Sequence, residues 1–254
     1  MYLPTQTQPS NARGWVAASA AVQAAGGEAY NVIIDIENPL AEDATDTAII
    51  QMVDQHLRDH HAYSISTVAN TIFPEATLRR YGPVDFYDAY HERVFPRMKR
   101  MTRDWGRYFD RLTRWTKVHG GEITTINPLE DLIAFMQRQL TRNRTYRNVY
   151  EMTIYDPTRD AGKPSNRQCL SFLSFKLTAD RRLLLTAIYR NHTYISRGLG
   201  NFIGLGRLQA FVAEQSGATL GSLTCVSTHA QIDTDGWSKA EAGALIQSCQ
   251  QLIQ

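Results

Sequence analysis

Three segments decide the fold: NRQCLSFLSFKL at 166–177 and GSLTCVSTHAQID at 221–233 are predicted strands, and YRNHTYISRGLGN at 189–201 runs from the end of a strand through a polar loop into a helix. Two apolar runs rich in β-forming residues, Cys169–Leu177 and Leu183–Tyr189, flank a short turn-like segment. This pattern predicts an antiparallel hairpin. A polar loop, a helix and a third strand are expected to follow it.

The turn between the two runs decides which residues face each other. If Ala179 and Asp180 are its two loop residues, Cys169 pairs with Arg190 across the hairpin. A fixed cation beside a thiol stabilises the thiolate and lowers the cysteine pKa from its usual value of about 8.5. Cys169 is therefore a candidate nucleophile. The alternative is a core cysteine beside a surface arginine, and a β-bulge would change the pairing.

The order and spacing of these residues resemble thymidylate synthase and its pyrimidine hydroxymethylase relatives. Cys169 is followed six residues later by Phe175, and the next strand ends in Tyr189-Arg190-Asn191. Gly198-Leu199-Gly200-Asn201 then leads into the helix, and the last strand ends at His229-Ala230-Gln231-Ile232-Asp233. One extra residue in the turn brings the whole stretch into register with the nucleotide-binding half of the family.

The resemblance assigns roles around a nucleotide pocket. It places Arg190 on the phosphate-binding arginine, Asn191 on the neighbouring serine and Asn201 on the asparagine that reads the pyrimidine edge. Asn201 also stands at the expected N-cap of the helix, which by itself would explain the residue. Gln231 and Asp233 stand where the family has the histidine and tyrosine that hold the sugar hydroxyl. The resemblance thus implies pyrimidine chemistry with an altered sugar end.

Two residues are candidates for proton transfer. Tyr108, within WGRYF at 105–109, resembles the family tyrosine whose hydroxyl assists proton removal from C5, and Phe109 is the competing alignment. His229 is the second candidate, with an ordinary polar contact as its alternative.

Two pairs of residues are candidates for contacts at the edges of the pocket. Tyr87 and Tyr90 repeat the spacing of the aromatic pair that contacts folate in the family, although two aromatic residues three apart on a helix are typical of core packing. Arg147, and after it Arg144, match the arginines that reach the phosphate of the partner subunit, because the planar guanidinium binds phosphate oxygens in pairs. A solvated loop of arginines is the alternative.

Composition excludes several classes of protein. The chain has 254 residues, 43% of them hydrophobic and 20% charged, which favours one domain spanning 1–254. The formal net charge of +2 gives no signal of nucleic-acid binding. Three scattered cysteines indicate neither a disulfide framework nor a metal site. Because no run approaches the roughly 20 apolar residues of a membrane span and no signal-peptide pattern opens the chain, a cytoplasmic protein is expected.

The fold that the resemblance implies is α/β (α+β): a mixed sheet layered with helices, whose other face packs against a second copy in a homodimer with shared active sites. The final segment, from the predicted capping box Ser238-Lys239-Ala240-Glu241, leaves no residues for the tail that closes over folate in the family. That expectation favours a hydroxymethyl product over a methyl product, because water would be harder to exclude.

The function that follows is transfer of a one-carbon unit, with 5,10-methylenetetrahydrofolate as donor, to C5 of a pyrimidine nucleotide through a Cys169 adduct at C6. A folate-independent group-transfer enzyme of specialised metabolism, using the same cysteine, is one alternative. A non-catalytic nucleotide-binding dimer is the other.

Overall fold

A computed structural model describes residues 3–101, 107–163 and 167–254. The helices are α1 Asn11–Ala24, α2 Ala44–Asp59, α3 Ile65–Ile72, α4 Glu75–Ala89, α5 Phe95–Met101, α6 Tyr108–Thr113, α7 Pro128–Thr141, α8 Pro157–Asp160, α9 Leu199–Ser216 and α10 Lys239–Gln251. The strands are β1 Leu3–Pro4, β2 Glu28–Ile36, β3 Trp115–His119, β4 Glu122–Ile126, β5 Tyr150–Thr153, β6 Leu170–Leu177, β7 Arg182–Tyr189, β8 His192–Thr193 and β9 Thr219–Gln231. Within the described ranges, no helix combines the length and the apolar character needed to cross a membrane.

The main sheet is mixed, as the sequence predicts. Its strands lie in the order β1-β2-β9-β7-β6-β5, and β8 also pairs with β9. The pairs β2–β9, β6–β7 and β5–β6 are antiparallel, whereas β7 and β9 are parallel and are connected through α9. The hairpin β3–β4 forms a separate two-stranded sheet.

Helices cover one face of this sheet. Along β7, the side chains of Leu183, Leu185 and Ala187 are buried, whereas the alternating side chains of Leu184 and Ile188 are partly exposed. Helix α9 packs against β7 and β9, and α1 packs against β2. Alternation of side chains along a strand places the buried set on the helix-covered face. Pairing of two chains through the opposite face stays a prediction.

Local sequence signals account for the ends of several helices. Asn127 is the N-cap of α7 and accepts a hydrogen bond from the backbone N–H of Glu130, with Pro128 at the first helical position. Ser238 and Glu241 form the predicted capping box at the start of α10. Both confirm the predictions from sequence, because capping depends on residues within one helical turn.

The β6–β7 turn is one residue longer than predicted. The backbone N–H of Thr178 donates to the carbonyl of Arg182 at 3.0 Å, which leaves three loop residues, 179–181, instead of two. Arg181 adopts a positive φ of 64°. This left-handed residue is typical of three-residue hairpin loops.

A β-bulge then cancels the extra loop residue. Leu177 pairs with Leu183, but the register shifts between Leu170 and Phe172, so that Leu170 pairs with Tyr189. The backbone N–H of Arg190 consequently donates to the carbonyl of Cys169 at 2.9 Å. The predicted turn was wrong, yet the two residues are neighbours across the hairpin because two irregularities compensate.

Helix α3 lies unusually close to α9. A Cβ atom on Gly200 would lie 2.6 Å from Cβ of Val68, and one on Gly204 would lie 2.7 Å from the carbonyl oxygen of Ala69. Glycine at these two positions therefore permits the approach. The contact brings Val68 and Thr71 of α3 to the wall of the cavity described next.

Candidate active site

A cavity of about 900 Å³ opens at the end of the β6–β7 hairpin. Its walls come from Cys169 and the segment 191–201, from α3, from 61–63, and from Tyr108 and Trp237. These elements are far apart in sequence. The volume lies near the upper end of the range typical of small-molecule sites, about 300–1,000 Å³.

Cys169 lines this cavity immediately before β6 and is a free, half-buried thiol. Burial raises its pKa above the ordinary value, and the guanidinium groups of Arg190, Arg197 and Arg167 oppose that effect without overcoming it. The predicted lowering of the Cys169 pKa was therefore wrong. The physical reason is that desolvation penalises the thiolate more than the nearby cations stabilise it.

Arg190 lies beside Cys169 but is bonded to the main chain. Its Nε donates to the carbonyl of Gln168 at 2.9 Å, and its Nη2 donates to the carbonyl of Arg167 at 3.1 Å. Arg190 is absent from the described residues that line the cavity. These hydrogen bonds hold the segment that leads into Cys169. The structure does not place Arg190 at an anion site.

Asn201 lines the cavity and is 4% exposed. Its Nδ2 donates to Nε2 of His192 at 3.0 Å, and Nδ1 of His192 lies 3.0 Å from Oγ of Ser227. An amide nitrogen can only donate, so Nε2 of His192 is the acceptor and its proton is on Nδ1. Burial lowers the pKa of His192 to about 3, which keeps the ring neutral. The ring also stacks on Tyr189, with centroids 4.1 Å apart.

Asn201 is not the N-cap of α9, so that prediction was wrong. A π-helical turn, Tyr194–Gly198, precedes the helix and has no side-chain cap from Asn201. The carboxylate of Asp233 instead accepts the backbone N–H groups of Ile195 and Ser196, at 2.9 and 3.1 Å. Asp233 thus caps the helical segment, and it is not among the described residues that line the cavity. Burial raises the pKa of its carboxyl group.

Tyr108 lines the cavity next to the nucleophile candidate. Its hydroxyl is 3.5 Å from the backbone N–H of Leu170, the residue after Cys169. The side chain is 5% exposed. Burial is the larger cause, and the neighbouring Cys169 the smaller, of a tyrosine pKa raised well above its usual range. Phe109, the residue of the competing alignment, is fully buried in the core and is not among the described residues that line the cavity.

Tyr87 and Tyr90, the predicted folate contacts, belong to an aromatic cluster in the core around Phe109. Tyr90 is fully buried, with its ring edge-on to Phe109 at 4.7 Å, and Tyr87 stacks parallel to Phe109 at 6.3 Å. Neither lines the cavity among the described residues. Core packing, the alternative considered from sequence, accounts for both.

His229 and Gln231 lie at the far end of β9, outside the described lining of the cavity. Nδ1 of His229 bonds to Oδ1 of Asn191, and its Nε2 is 2.8 Å from a carboxylate oxygen of Glu28. Gln231 pairs with Glu28 in β2 and with Thr193 in β8. Asn191 does line the cavity, so His229 is connected to the site through its hydrogen bond with Asn191.

Arg144 and Arg147 are exposed in the segment between α7 and β5. They do not line the cavity of their own chain in its described part. Their predicted contact with the phosphate of a partner subunit stays a prediction.

Sequence reasoning missed three arginines that line the cavity: Arg107, Arg167 and Arg197. Arg197 lies over the ring of Tyr63, 4.9 Å from its centroid. None of these arginines carries a local signal, since each reaches the cavity from a different segment and only the packing brings them together.

Comparisons with known proteins agree with this architecture. A protein of Methanococcoides burtonii named "Putative thymidylate synthase" is 32% identical over 111 residues, covering 44% of this chain and 50% of the relative. A protein of the same name from Methanosarcina mazei is 28% identical over 134 residues, covering 53% and 55%. The chain thus spans about half the length of the curated relatives it matches. No family model matches.

The fold is similar to that of the thermostable thymidylate synthase A from Bacillus subtilis. The TM-score is 0.51 at 11% sequence identity, covering 94% of this chain and 84% of the Bacillus protein. The chain therefore has a thymidylate synthase-like fold. The chain is thus similar to these proteins in sequence over about half of its length, and to a thymidylate synthase in overall fold.

Proposed function

We propose that the chain is a thymidylate synthase-like transferase that adds a one-carbon group to C5 of a pyrimidine nucleotide. The observation that carries the proposal is the convergence of Cys169, Tyr108 and Asn201 on one cavity. A nucleophile, a hydroxyl suited to proton transfer and an amide suited to a pyrimidine edge are the groups that this chemistry needs.

Cys169 begins the reaction as its thiolate. The sulfur adds to C6 of the pyrimidine, a C–S bond forms, and the electron pair of the C5–C6 double bond moves into an enolate ending at O4. C5 then attacks the one-carbon electrophile. After a proton leaves C5, the electron pair of the C5–H bond would expel the amine of the donor from the one-carbon unit. Water would then add to that carbon to give a hydroxymethyl group, or a hydride from the reduced donor, which is oxidised in turn, would give a methyl group. The C6–S bond would break as the C5–C6 double bond re-forms, which regenerates free Cys169.

Because the pKa of the free Cys169 thiol is raised, ligand binding must favour loss of the thiol proton. A bound pyrimidine excludes water, so the thiolate forms only as it attacks, and its proton must pass to a neighbouring acceptor. The cations around Cys169 then stabilise the developing negative charge.

Asn201 orients the base. One of its amide hydrogens is donated to His192, which leaves the second hydrogen and the carbonyl oxygen for the donor and acceptor on a uracil-type edge. His192, neutral and held by Ser227, fixes which atom of the amide points to the cavity. Asn201 also stabilises the charge that develops at the base edge when sulfur adds.

Tyr108 serves proton removal from C5, directly or through water at the cavity wall. Its high pKa makes the neutral phenol the resting form, so it relays a proton by accepting and donating through one hydroxyl. His229 acts at a distance through Asn191, with Glu28 opposite it. Gln231 and Asp233 support the same end of the site through β9 and the start of the helical segment.

The one-carbon donor in this proposal is 5,10-methylenetetrahydrofolate, which supplies an electrophilic carbon. Tyr63 and Trp237 give the cavity an aromatic wall suited to a flat ring, and they take the place predicted for Tyr87 and Tyr90. The product is a methyl or a hydroxymethyl pyrimidine. Two chains forming a homodimer would let Arg144 and Arg147 approach the phosphate of the partner's nucleotide.

Isotope release tests the proposal. Pyrimidine nucleoside monophosphates carrying tritium at C5 are incubated with the protein, with and without 5,10-methylenetetrahydrofolate, and intact-mass spectrometry is used to detect an adduct on Cys169. We expect folate-dependent tritium release with at least one nucleotide, and loss of both release and adduct in Cys169→Ser. Cys249→Ala, at a buried cysteine outside the cavity lining, is the matched control and should retain both.

The alternatives give different results. Tritium exchange with every nucleotide equal to that in buffer would reject one-carbon transfer at C5. Nucleotide binding that Cys169→Ser leaves intact, without adduct or exchange, would identify a non-catalytic nucleotide-binding dimer. An adduct formed only with other electrophiles would favour the folate-independent enzyme.

A further inference from the structure

Two histidines lie behind Trp237, which belongs to the aromatic wall of the cavity. The indole is 6% exposed, and its Nε1 donates to the carbonyl of Asp233 at 2.6 Å. His56 and His60, at the end of α2, contact the indole with ring centroids 5.1 and 5.7 Å from its own. The centroids of the two imidazoles are 4.5 Å apart. Neither histidine is among the described residues that line the cavity, so both support its wall from outside.

One hydrogen bond fixes the tautomer of His60, which is the C-cap of α2. Its Nδ1 lies 2.8 Å from the carbonyl oxygen of His56. Because a carbonyl oxygen can only accept, Nδ1 carries a proton in both the neutral and the charged ring. In the neutral ring Nε2 is therefore an acceptor, although it faces a carboxylate oxygen of Glu241 at 3.4 Å. Two acceptors form no hydrogen bond, so this contact becomes one only when His60 is protonated.

The helix ends favour that second proton. The dipole of α2 stabilises a cation at its C-terminal end, and the dipole of α10 stabilises an anion in its first turn, where Glu241 lies. The other carboxylate oxygen of Glu241 accepts the backbone N–H and the hydroxyl of Ser238, and these bonds lower the pKa of Glu241 to about 2. The bond to the His56 carbonyl, aided by Glu241 and opposed by burial, raises the pKa of His60 above its ordinary value.

His56 does not compete for the proton. Its Nε2 is buried and has no hydrogen-bond partner among the described residues. Burial first, and the nearby charge of His60 second, lower the pKa of His56. The carboxylates that face the pair within the described chain are Asp59 on α2, Glu241 on α10 and Asp233 after β9. His60 is thus the member of the pair that takes the proton near neutral pH.

We propose that His60 and Glu241 are positioning residues for Trp237: when His60 is protonated, its bond to Glu241 joins the end of α2 to the start of α10 and holds the indole in the cavity wall. Trp237 directly precedes Ser238, the N-cap of α10, so a fixed helix start also fixes the direction of the indole. Loss of the proton breaks the bond and leaves the wall less firmly held. This coupling applies whichever ligand the cavity takes, so it does not depend on the proposed function.

The fluorescence of Trp237 in the full chain tests this coupling without a ligand. Acrylamide quenching is recorded between about pH 5 and pH 9 for the parent and for Trp237→Phe. Because the chain has four tryptophans, the difference between the two proteins isolates the signal of this indole. We expect its quenching constant to rise with pH, with a midpoint above about 6.5, because a released indole is more accessible. His60→Gln should abolish that midpoint.

Glu241→Gln separates the His60 bond from the helix cap. The amide oxygen of the glutamine takes over the bond from the Ser238 N–H, which turns the amide nitrogen toward Nε2 of His60. That nitrogen can donate only to the neutral imidazole. The pH dependence should therefore reverse, with Trp237 held at high pH and released at low pH.

Two variants assign the titration. His56→Phe keeps an aromatic ring against Trp237 and should retain the midpoint of the parent. His119→Gln, at an exposed position of β3, is the matched control for loss of one histidine and should behave as the parent does. A midpoint that is lost in His56→Phe and kept in His60→Gln would overturn the proposal, as would quenching of Trp237 that is independent of pH in the parent.

The outcome is separate from that of the C5 exchange experiment, because no nucleotide is added. A reversed pH dependence in Glu241→Gln supports the positioning role even if no nucleotide exchanges its C5 hydrogen. Exchange at C5 together with equal titrations of the parent and His60→Gln would support the transferase and reject the positioning role. Far-ultraviolet circular dichroism and the thermal midpoint identify a misfolded variant, and Glu241→Gln carries the test if His60→Gln does not fold.

Discussion

Tyr108 and Phe109 are neighbours in sequence but belong to two different regions of the molecule. Tyr108 lines the cavity, where its hydroxyl lies beside the backbone of Leu170. Phe109 is fully buried among the rings of Phe86, Tyr90 and other residues of the aromatic cluster. Successive residues of a helix point about 100° apart, so one turn of α6 can serve both regions.

The difference between the two regions lies in where polar groups meet. The cavity combines a thiol, an imidazole, an amide and guanidinium groups from distant segments. The aromatic cluster contains rings whose contacts are apolar, and even the hydroxyl of Tyr90 has no hydrogen-bond partner among the described residues. Burial alone therefore does not identify a site, because both regions are buried and only one has convergent polar chemistry.

The largest expected effect compares two buried tyrosines, one in each region. Tyr108→Phe should lower turnover by about 100- to 1,000-fold, because loss of a positioned proton-transfer group costs roughly that much. Tyr90→Phe removes a buried hydroxyl without a described partner and should leave turnover within about twofold while maintaining or raising stability. Tritium release from C5 and the urea midpoint of unfolding measure the two effects. Equal turnover in the two variants would remove Tyr108 from the mechanism.

A second test compares two histidines, His192, which is bonded to Asn201, and His229, which is bonded to Asn191. His192→Phe preserves the ring stacking but leaves the Asn201 amide and the Ser227 hydroxyl without their described partner. The free energy of unfolding should therefore fall by about 2 kcal/mol. His229→Phe removes the contacts of a partly exposed ring with Glu28 and Asn191, and should lower stability less than His192→Phe does. Urea unfolding at pH 7.5 measures both. A smaller loss in His192→Phe than in His229→Phe would contradict the structural role of the His192 bonds.

The same histidine gives a pH dependence. Its pKa of about 3 in the folded protein lies below the unfolded value of about 6.5, so the unfolded chain binds the proton more tightly. Its contribution to stability is complete above pH 6.5 and is lost as the pH falls toward 3. His192→Phe should flatten that part of the stability profile, which urea unfolding across this pH range measures.

The smallest effect concerns the reactivity of the three cysteines. Burial raises the pKa of Cys225 and of Cys249 to about 12, and both side chains are fully buried, whereas Cys169 is half-buried with a less strongly raised pKa. Iodoacetamide should therefore modify Cys169 first, at a rate still rising above pH 8.5, since each pKa unit changes the thiolate fraction about tenfold below the pKa.

A variant of the cavity wall sharpens that measurement. Arg197→Gln removes one of the cations that favour the Cys169 thiolate, so it should shift the alkylation profile to higher pH. Peptide mapping by mass spectrometry assigns the modified cysteine. A plateau below pH 8 would mean that the Cys169 pKa is lowered and that cations outweigh burial.

Sequence reasoning succeeded where the signal is local or tied to spacing. The caps of α7 and α10 follow from residues within one turn, and the hairpin follows from two β-rich runs. The resemblance also found Cys169, Tyr108 and Asn201, which the structure brings to one cavity. Sequence reasoning did not find the extra loop residue or the compensating bulge, because both are features of backbone pairing that the hydrophobic pattern does not specify.

The sequence by itself determined the periodicity of the strands and helices and the spacing of residues around Cys169, and that spacing carried the resemblance that implied the mixed α/β layering the structure has. Only the tertiary structure decided the surroundings of those residues. It turned Arg190 onto backbone carbonyls, brought Arg167 and Arg197 to the cavity, placed Tyr87 and Tyr90 in the core, and buried Cys169 enough to raise its pKa. Desolvation and side-chain direction arise from packing between segments distant in sequence, which no local pattern encodes.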